Sequence, residues 1–163
     1  MILVGIPVSP WVRKAILFMK EKHLDFEIIP SHPGGFPGMH PDLLKWSPMG
    51  KIPALVDGEH RFSDSSAICF YLDAKFPDNR LIPSTPYELA RTVSLTQFAN
   101  EALGPVLAYR FFFPKMVLPM VLDLEPNLEL VADTEKRVLP PLLDRLEADL
   151  AGQDWFVGDY GYA

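Results

Sequence analysis

An α/β unit followed by an all-helical unit is the fold class this sequence predicts, and three observations predict it. Short apolar runs of strand length alternate with helix-period segments up to residue 77. From residue 87 onward the pattern is helical with no strand-like interval. Between them lies a run of breakers, Pro77, Asp78, Asn79, Pro83 and Pro86. The expected division is therefore an α/β domain over 1–77, a linker over 78–86 and a helical domain over 87–163.

Residues 2–4 form the first apolar strand, ended by the breakers Pro7, Ser9 and Pro10. Trp11, Val12, Ala15, Ile16, Phe18 and Met19 then recur at three- and four-residue spacing, so 11–22 is a helix. Ser9 followed by Pro10 fits its N-cap and first helical position. Residues 25–29 alternate apolar and acidic side chains as a half-buried strand does, and Pro30 ends it. The stretch 31–41 is a Gly- and Pro-rich loop, followed by a short helix over 42–46. Residues 52–56 read as a strand carrying Pro53, joined through Asp57-Gly58 to a second strand over 60–62. Ile68, Leu72 and Phe76 mark one face of a helix over 65–76. The order is strand, helix, strand, short helix, hairpin, helix. Beyond it, 87–107 and 128–150 are long helical patterns, the second marked by Val131, Leu139, Leu142, Leu143, Leu146 and Leu150. Pro140-Pro141 is expected to bend or interrupt that helix.

Composition narrows the function. The chain has 163 residues, 48% hydrophobic and 22% charged, enough apolar material for a core. Fifteen Lys and Arg against 21 Asp and Glu give a net charge of −6, which argues against a broad nucleic-acid footprint. One cysteine, Cys69, excludes an internal disulfide and a multi-thiolate zinc site. The four histidines, His23, His32, His40 and His60, lack close metal-ligand spacing. The most apolar stretch, 102–122, is broken by three prolines, Arg110 and Lys115, so a kinked buried or interfacial helix is expected there rather than a membrane span. No secretory leader is visible, and a cytoplasmic location is expected.

Three features could carry chemistry. Ser9 opens the first helix, where its hydroxyl and the free amides either cap the helix or stabilise an anion. Pro53 at the start of a strand marks either an edge strand or a cis peptide. Asp64-Ser65-Ser66 precedes another helix, as a cap or as a ligand clamp. Together they put polar groups at one edge of one small sheet, which is the arrangement of a ligand site.

These residues carry a family resemblance. Ser9-Pro10-Trp11-Val12-Arg13-Lys14, then Ser47-Pro48-Met49-Gly50-Lys51-Ile52-Pro53-Ala54-Leu55, then Phe62-Ser63-Asp64-Ser65-Ser66-Ala67-Ile68 with Tyr71-Leu72, resemble three motifs of the cytosolic glutathione transferases, in that family's order and spacing. The chain is similar to serine-type, bacterial-like members. The resemblance implies a thioredoxin-like domain of βαβαββα order with a mixed four-stranded sheet. It implies glutathione as co-substrate without a metal, and a transferase that activates the thiol of glutathione for attack on a hydrophobic electrophile. By the same resemblance Ser9 is the catalytic hydrogen-bond donor to the sulfur. Ile52, held by cis Pro53, pairs its backbone with the cysteinyl part. Asp64 and Ser65 grip the γ-glutamyl end, and Lys51 lies near the glycyl end.

The resemblance leaves other readings open: a non-catalytic glutathione-transferase-like binding or regulatory protein, or a glutathione-dependent isomerase, dehalogenase or peroxidase. Asp64 stands where the family more often has Glu. His32, His40 and Lys45 are candidates for the glycyl carboxylate, and Phe111, Phe112 and Phe113 for the electrophile pocket. Trp11 is a candidate for shaping that pocket or supporting a homodimer, and Cys69 for a buried structural thiol. Leu139-Pro140 to Leu150 and Trp155 to Asp159 resemble the segment approaching the family's buried helical motif. On that resemblance the chain is expected to stop partway through the helical domain.

Overall fold

The computed structural model describes residues 1–162. Ala163, the last residue of the expected helical domain, lies outside the described residues. The chain forms two compact units, Met1 to Ile82 together with Tyr162, and Pro83 to Gly161.

The first unit is built on a four-stranded sheet of order β2-β1-β3-β4, with β1 Ile2–Val4, β2 Glu27–Ile29, β3 Ala54–Asp57 and β4 His60–Phe62. β1 pairs parallel with β2 and antiparallel with β3, and β3 pairs antiparallel with β4. The mixed sheet and the order βαβαββα agree with the expectation. Side chains alternate across a strand, and the register uses that rule. Ile2 faces Val56 and Val4 faces Ala54, while Leu3 pairs with Leu55. Val4 and Ala54 pack with Leu43 of α2 (Leu43–Trp46), flanked by Ile2, Ile29, Trp46 and Val56. Leu3 and Leu55 therefore point to the opposite face, toward α1 (Pro10–Glu21) and α3 (Ser65–Lys75), which pack together. The buried residues of α1, Val12, Ala15, Phe18 and Met19, meet Ile68, Cys69 and Leu72 of α3 there.

Three strand limits differ from the sequence reading, and one of them is the end of β3, which runs to Asp57 rather than to residue 56. β2 begins at Glu27 rather than at residue 25. β3 begins at Ala54 rather than at residue 52, because Pro53 has no N–H to give a ladder and follows Ile52 through a cis peptide. Of the two readings of Pro53, the edge strand is corrected: β3 lies inside the sheet, and the proline sits just before it. Asp57 and His60 pair across a two-residue turn in which Gly58 takes φ +60°, a conformation glycine adopts without Cβ strain.

The end of α3 is tied down by a buried charge network. The Asp73 carboxylate, 1% exposed, accepts from Lys22 Nζ at 2.9 Å and from the amides of Leu81 at 2.9 Å and Ile82 at 3.3 Å. Lys22 also donates to the Asn79 carbonyl. Within the stretch 78–86, Leu81 and Ile82 are thus buried in the first unit, and the second begins at Pro83.

The second unit is helical. Thr85 caps α4 (Pro86–Gln97), its hydroxyl accepting from Glu88 N at 3.4 Å and donating to Glu88 Oε2 at 2.6 Å. The helical path then widens to π geometry over Phe98–Leu103 and Val106–Val117 before α5 (Leu118–Val121). Prolines explain the widening: Pro105, Pro114 and Pro119 cannot donate backward, and a wider turn gives their rings room. The same device precedes Pro140-Pro141. α6 (Leu128–Asp133) passes through a π stretch, Thr134–Val138, and regular geometry resumes at α7 (Leu139–Leu150), with a proline in its first turn. The expected interruption is thus a widened turn, with right-handed helical angles at the junction residues Thr134 and Leu139. Among the described residues no helix is long and apolar enough to cross a membrane.

Candidate active site

The topology gathers the sequence candidates at one end of the sheet. Chain leaving β1 at Gly5 emerges beside chain entering β3 at Ala54, because Val4 pairs with Ala54. Chain leaving β4 at Phe62 emerges at the same end, because Phe62 pairs with Leu55. Ser9, Ile52-Pro53 and Asp64-Ser65 therefore lie on three neighbouring loops. Gly5 marks a close approach among them: a Cβ there would come within 2.6 Å of Val12 Cγ2 and 3.4 Å of Ile52 Cβ, and its φ is +149°. Glycine is required at that crossing both by space and by backbone angle.

Ser9 is half-buried at the N-cap of α1, where its Oγ accepts from Val12 N at 3.4 Å. The amide occupies an oxygen lone pair and leaves the hydroxyl proton to be donated elsewhere. Pro10 follows in the first turn, where a missing N–H costs nothing. Pro53 is buried and Ile52 half-buried. Their loop is fastened by Lys51 N donating to Ser47 Oγ at 3.0 Å and by Gly34 N donating to Gly50 O at 2.7 Å. Lys51 itself is exposed.

Asp64 caps α3, its Oδ1 accepting from Ser66 N at 2.9 Å and Ala67 N at 2.8 Å. The residue is exposed, and its carboxylate is fixed through Oδ1. Ser65 is 2% exposed, and its Oγ has no hydrogen-bond partner. A buried hydroxyl without a partner is costly. It stands at the first position of α3, at the positive end of the helix dipole, which suits an anion.

The three candidates for a carboxylate further along the loop differ. Lys45 pairs with Asp42 at 2.6 Å, and that hydrogen bond holds Asp42 below the usual carboxylate range. His40 accepts from Asp42 N through Nδ1 at 3.1 Å and tilts against Trp46 at 4.9 Å. A neutral His40 then carries its proton on Nε2, a donor. His32 lies under Gly38 and also donates its backbone N–H to the Gly38 carbonyl at 3.2 Å. Trp11 is half-buried, and Phe111, Phe112 and Phe113 are half-buried within the second unit.

Two residues escaped the sequence reading as individuals. Lys14 of α1 donates to Ser66 Oγ of α3 at 2.9 Å. Lys14 precedes the buried Phe18 by one turn, so a cation on that stripe was the available signal. Burial pushes the Lys14 ammonium below its ordinary value, against the opposing effects of Cys69 and Asp64.

Cys69 is buried beside these groups, and burial pushes its thiol up to about 12. A protonated, inaccessible thiol is a poor nucleophile. Iodoacetamide at pH 8 is therefore expected to alkylate the folded chain roughly a hundredfold or more slowly than free cysteine. Normal reactivity should return in urea. Rapid alkylation of the folded chain would contradict the burial of this thiol.

Residues 3–80 match the family described as glutathione S-transferase, N-terminal domain. The chain is similar to glutathione S-transferase 3 of Zea mays, 33% identical over 159 residues, covering 96% of this chain and 70% of that protein. Among solved structures it is similar to glutathione S-transferase III in its apo form, with a TM-score of 0.80 and 32% identity over 99% of this chain and 74% of that one. It is also similar to the theta-class glutathione S-transferase of Xanthomonas axonopodis pv. citri with glutathione bound, with a TM-score of 0.82 and 26% identity over 99% of this chain and 75% of that one. A sheet end carrying Ser9, cis Pro53 and the Asp64-Ser65 helix start, in a chain alike over nearly its whole length, leads to one conclusion: this protein belongs to the glutathione S-transferase family.

Proposed function

We propose that this chain activates the thiol of glutathione for nucleophilic attack on a hydrophobic electrophile. The observation that carries the reading is the convergence of a donor-ready Ser9 hydroxyl with the unpartnered Ser65 hydroxyl and the exposed Asp64 carboxylate at one sheet end. Glutathione offers complementary groups: a thiol, an amide backbone, and a γ-glutamyl end bearing an ammonium and a carboxylate. Asp64 attracts the ammonium. Ser65, at the positive end of α3, receives the carboxylate. Ile52, presented by Pro53, offers main-chain groups to the cysteinyl part. Lys51 and the Nε2 proton of His40 are donors for the glycyl carboxylate.

The Ser9 hydroxyl donates a hydrogen bond to the sulfur, keeping its own proton, and favours the thiolate; the thiol proton leaves to solvent. The sulfur then forms a bond to an electrophilic carbon while the leaving group departs with the bonding pair. Serine remains a donor throughout and forms no covalent bond. The reading requires no metal. A homodimer in the cytoplasm is part of this proposal, on family grounds.

Titration calorimetry with glutathione and a conjugation assay with a reactive aryl halide test it. Saturable binding at millimolar concentration or below and thiol-dependent release of halide are expected. Absence of glutathione binding at millimolar concentration would sink the enzyme reading.

A further inference from the structure

We propose that Lys14 is a positioning residue that braces the γ-glutamyl end of the glutathione site, acting through Ser66 on the first turn of α3. The inference rests on the glutathione-transferase reading and adds a residue to it. Ser66 is gripped twice. Its amide donates to Asp64 Oδ1 at 2.9 Å, and its Oγ accepts from Lys14 Nζ at 2.9 Å. The first bond ties Ser66 to the exposed clamp residue, and the second ties it across 52 residues of sequence to α1. α1 is also the helix that Ser9 caps. One rigid element therefore carries the sulfur donor at its start and the brace of the amino-acid clamp one turn later.

The ammonium is held from the other side as well. Lys14 Nζ lies 5.8 Å from the centre of the Tyr162 ring, a cation–π distance. That ring packs edge-on against Phe18 at 5.6 Å and Phe70 at 5.8 Å, and Tyr162 N donates to the Leu81 carbonyl at 3.0 Å. Half-buried between this wall and Ser66, Lys14 places its charge close to the start of α3. The charge has a use there. Asp64 alone would repel the carboxylate of a γ-glutamyl group. A cation behind the first turn offsets that repulsion, so the same turn accepts both charges of the zwitterion. Burial lowers the Lys14 ammonium, and Cys69 and then Asp64 oppose that effect, as expected for a cation fixed beside the clamp.

The test compares two thiols on the full chain, each variant set against wild type with the same thiol: glutathione, and cysteinylglycine, which keeps the cysteinyl and glycyl residues and lacks the γ-glutamyl group. Lys14→Met should lower kcat/KM for glutathione about tenfold, the size of one charge-assisted hydrogen bond, with the loss in KM. It should leave kcat/KM for cysteinylglycine unchanged. Lys14→Arg, which keeps a donor and the charge, should restore most of the glutathione activity. Ser66→Ala removes the acceptor while keeping the amide bonded to Asp64, and should shift the same ratio in the same direction if Lys14→Met folds poorly. Equal losses for both thiols, or no loss for glutathione in either variant, would overturn the role of Lys14 while leaving the transferase reading intact. A wild-type chain that does not bind glutathione would overturn both.

Discussion

Asp73→Ala is expected to lower folding stability by about 3–5 kcal/mol, the usual effect of removing one partner from a buried ion pair. The size follows from what the carboxylate serves. Asp73 is 1% exposed and Lys22 5% exposed. Without the carboxylate the Lys22 ammonium loses its counter-charge, keeps its bond to the Asn79 carbonyl, and lies 5.8 Å from the Phe18 ring centre. The amides of Leu81 and Ile82 lose their acceptor as well. Each buried amide left unpaired costs about 1–3 kcal/mol. Arg80, with its side chain 55% exposed, contributes little from 3.5 Å. Lys22→Met should cost less than Asp73→Ala, because the carboxylate keeps both amides and Arg80. Asp73→Asn should also cost less, since an amide oxygen still accepts. Urea unfolding of the three variants orders them. A loss below about 1 kcal/mol for Asp73→Ala, the range of a surface pair, would show that the network does not staple residues 79–82 to α3.

This network also marks where the sequence was hard to read. Ala15, Phe18, Met19 and Lys22 are all buried. Their spacing is one helical stripe, and a lysine closing it is a signal of a buried partner. Nothing local names that partner, because Asp73 lies 51 residues away. The same holds for Lys14 and Ser66. By contrast the fold class was legible because it rests on local rules: alternation in the strands, three- and four-residue spacing in α1 and α3, and Gly58 in the hairpin. Pro53 was legible as an anomaly, yet only the sheet order shows that β3 is interior. The helical unit was readable as helix but not as π geometry. A single proline announces a disturbed hydrogen bond, while the surrounding packing decides whether the helix breaks, kinks or widens. For the candidate site, motif order alone groups Ser9, Ile52, Pro53, Asp64 and Ser65. That Ser65 has a buried hydroxyl without a partner is a fact of packing alone.

Ser9→Ala should lower kcat/KM at pH 7 by about ten- to a hundredfold, and the gap should close as pH rises. A free thiol has a pKa of about 8.5, so only a few per cent is ionised at pH 7. A charge-assisted hydrogen bond of about 1.5–3 kcal/mol depresses the bound thiol by about one to two units. The start of α1 adds about 0.3–2 kcal/mol that the variant keeps. The sign follows from the depression. Above its lowered pKa the wild-type complex is already thiolate, while the variant, left with the helix contribution alone, ionises only at higher pH. The ratio of rates is therefore largest below the wild-type transition and shrinks toward one above the variant's. The variant also loses the cap on Val12 N, at a stability cost of about 0.5–2 kcal/mol. Urea unfolding measures that loss separately, and Ser9→Thr keeps both a hydroxyl donor and a cap. A pH–rate profile of the two variants separates the roles. If Ser9→Ala changes stability but leaves the profile where the wild type has it, Ser9 is only the helix cap. An upward-shifted profile in Ser9→Ala, with Ser9→Thr close to wild type, assigns the sulfur donor to the hydroxyl.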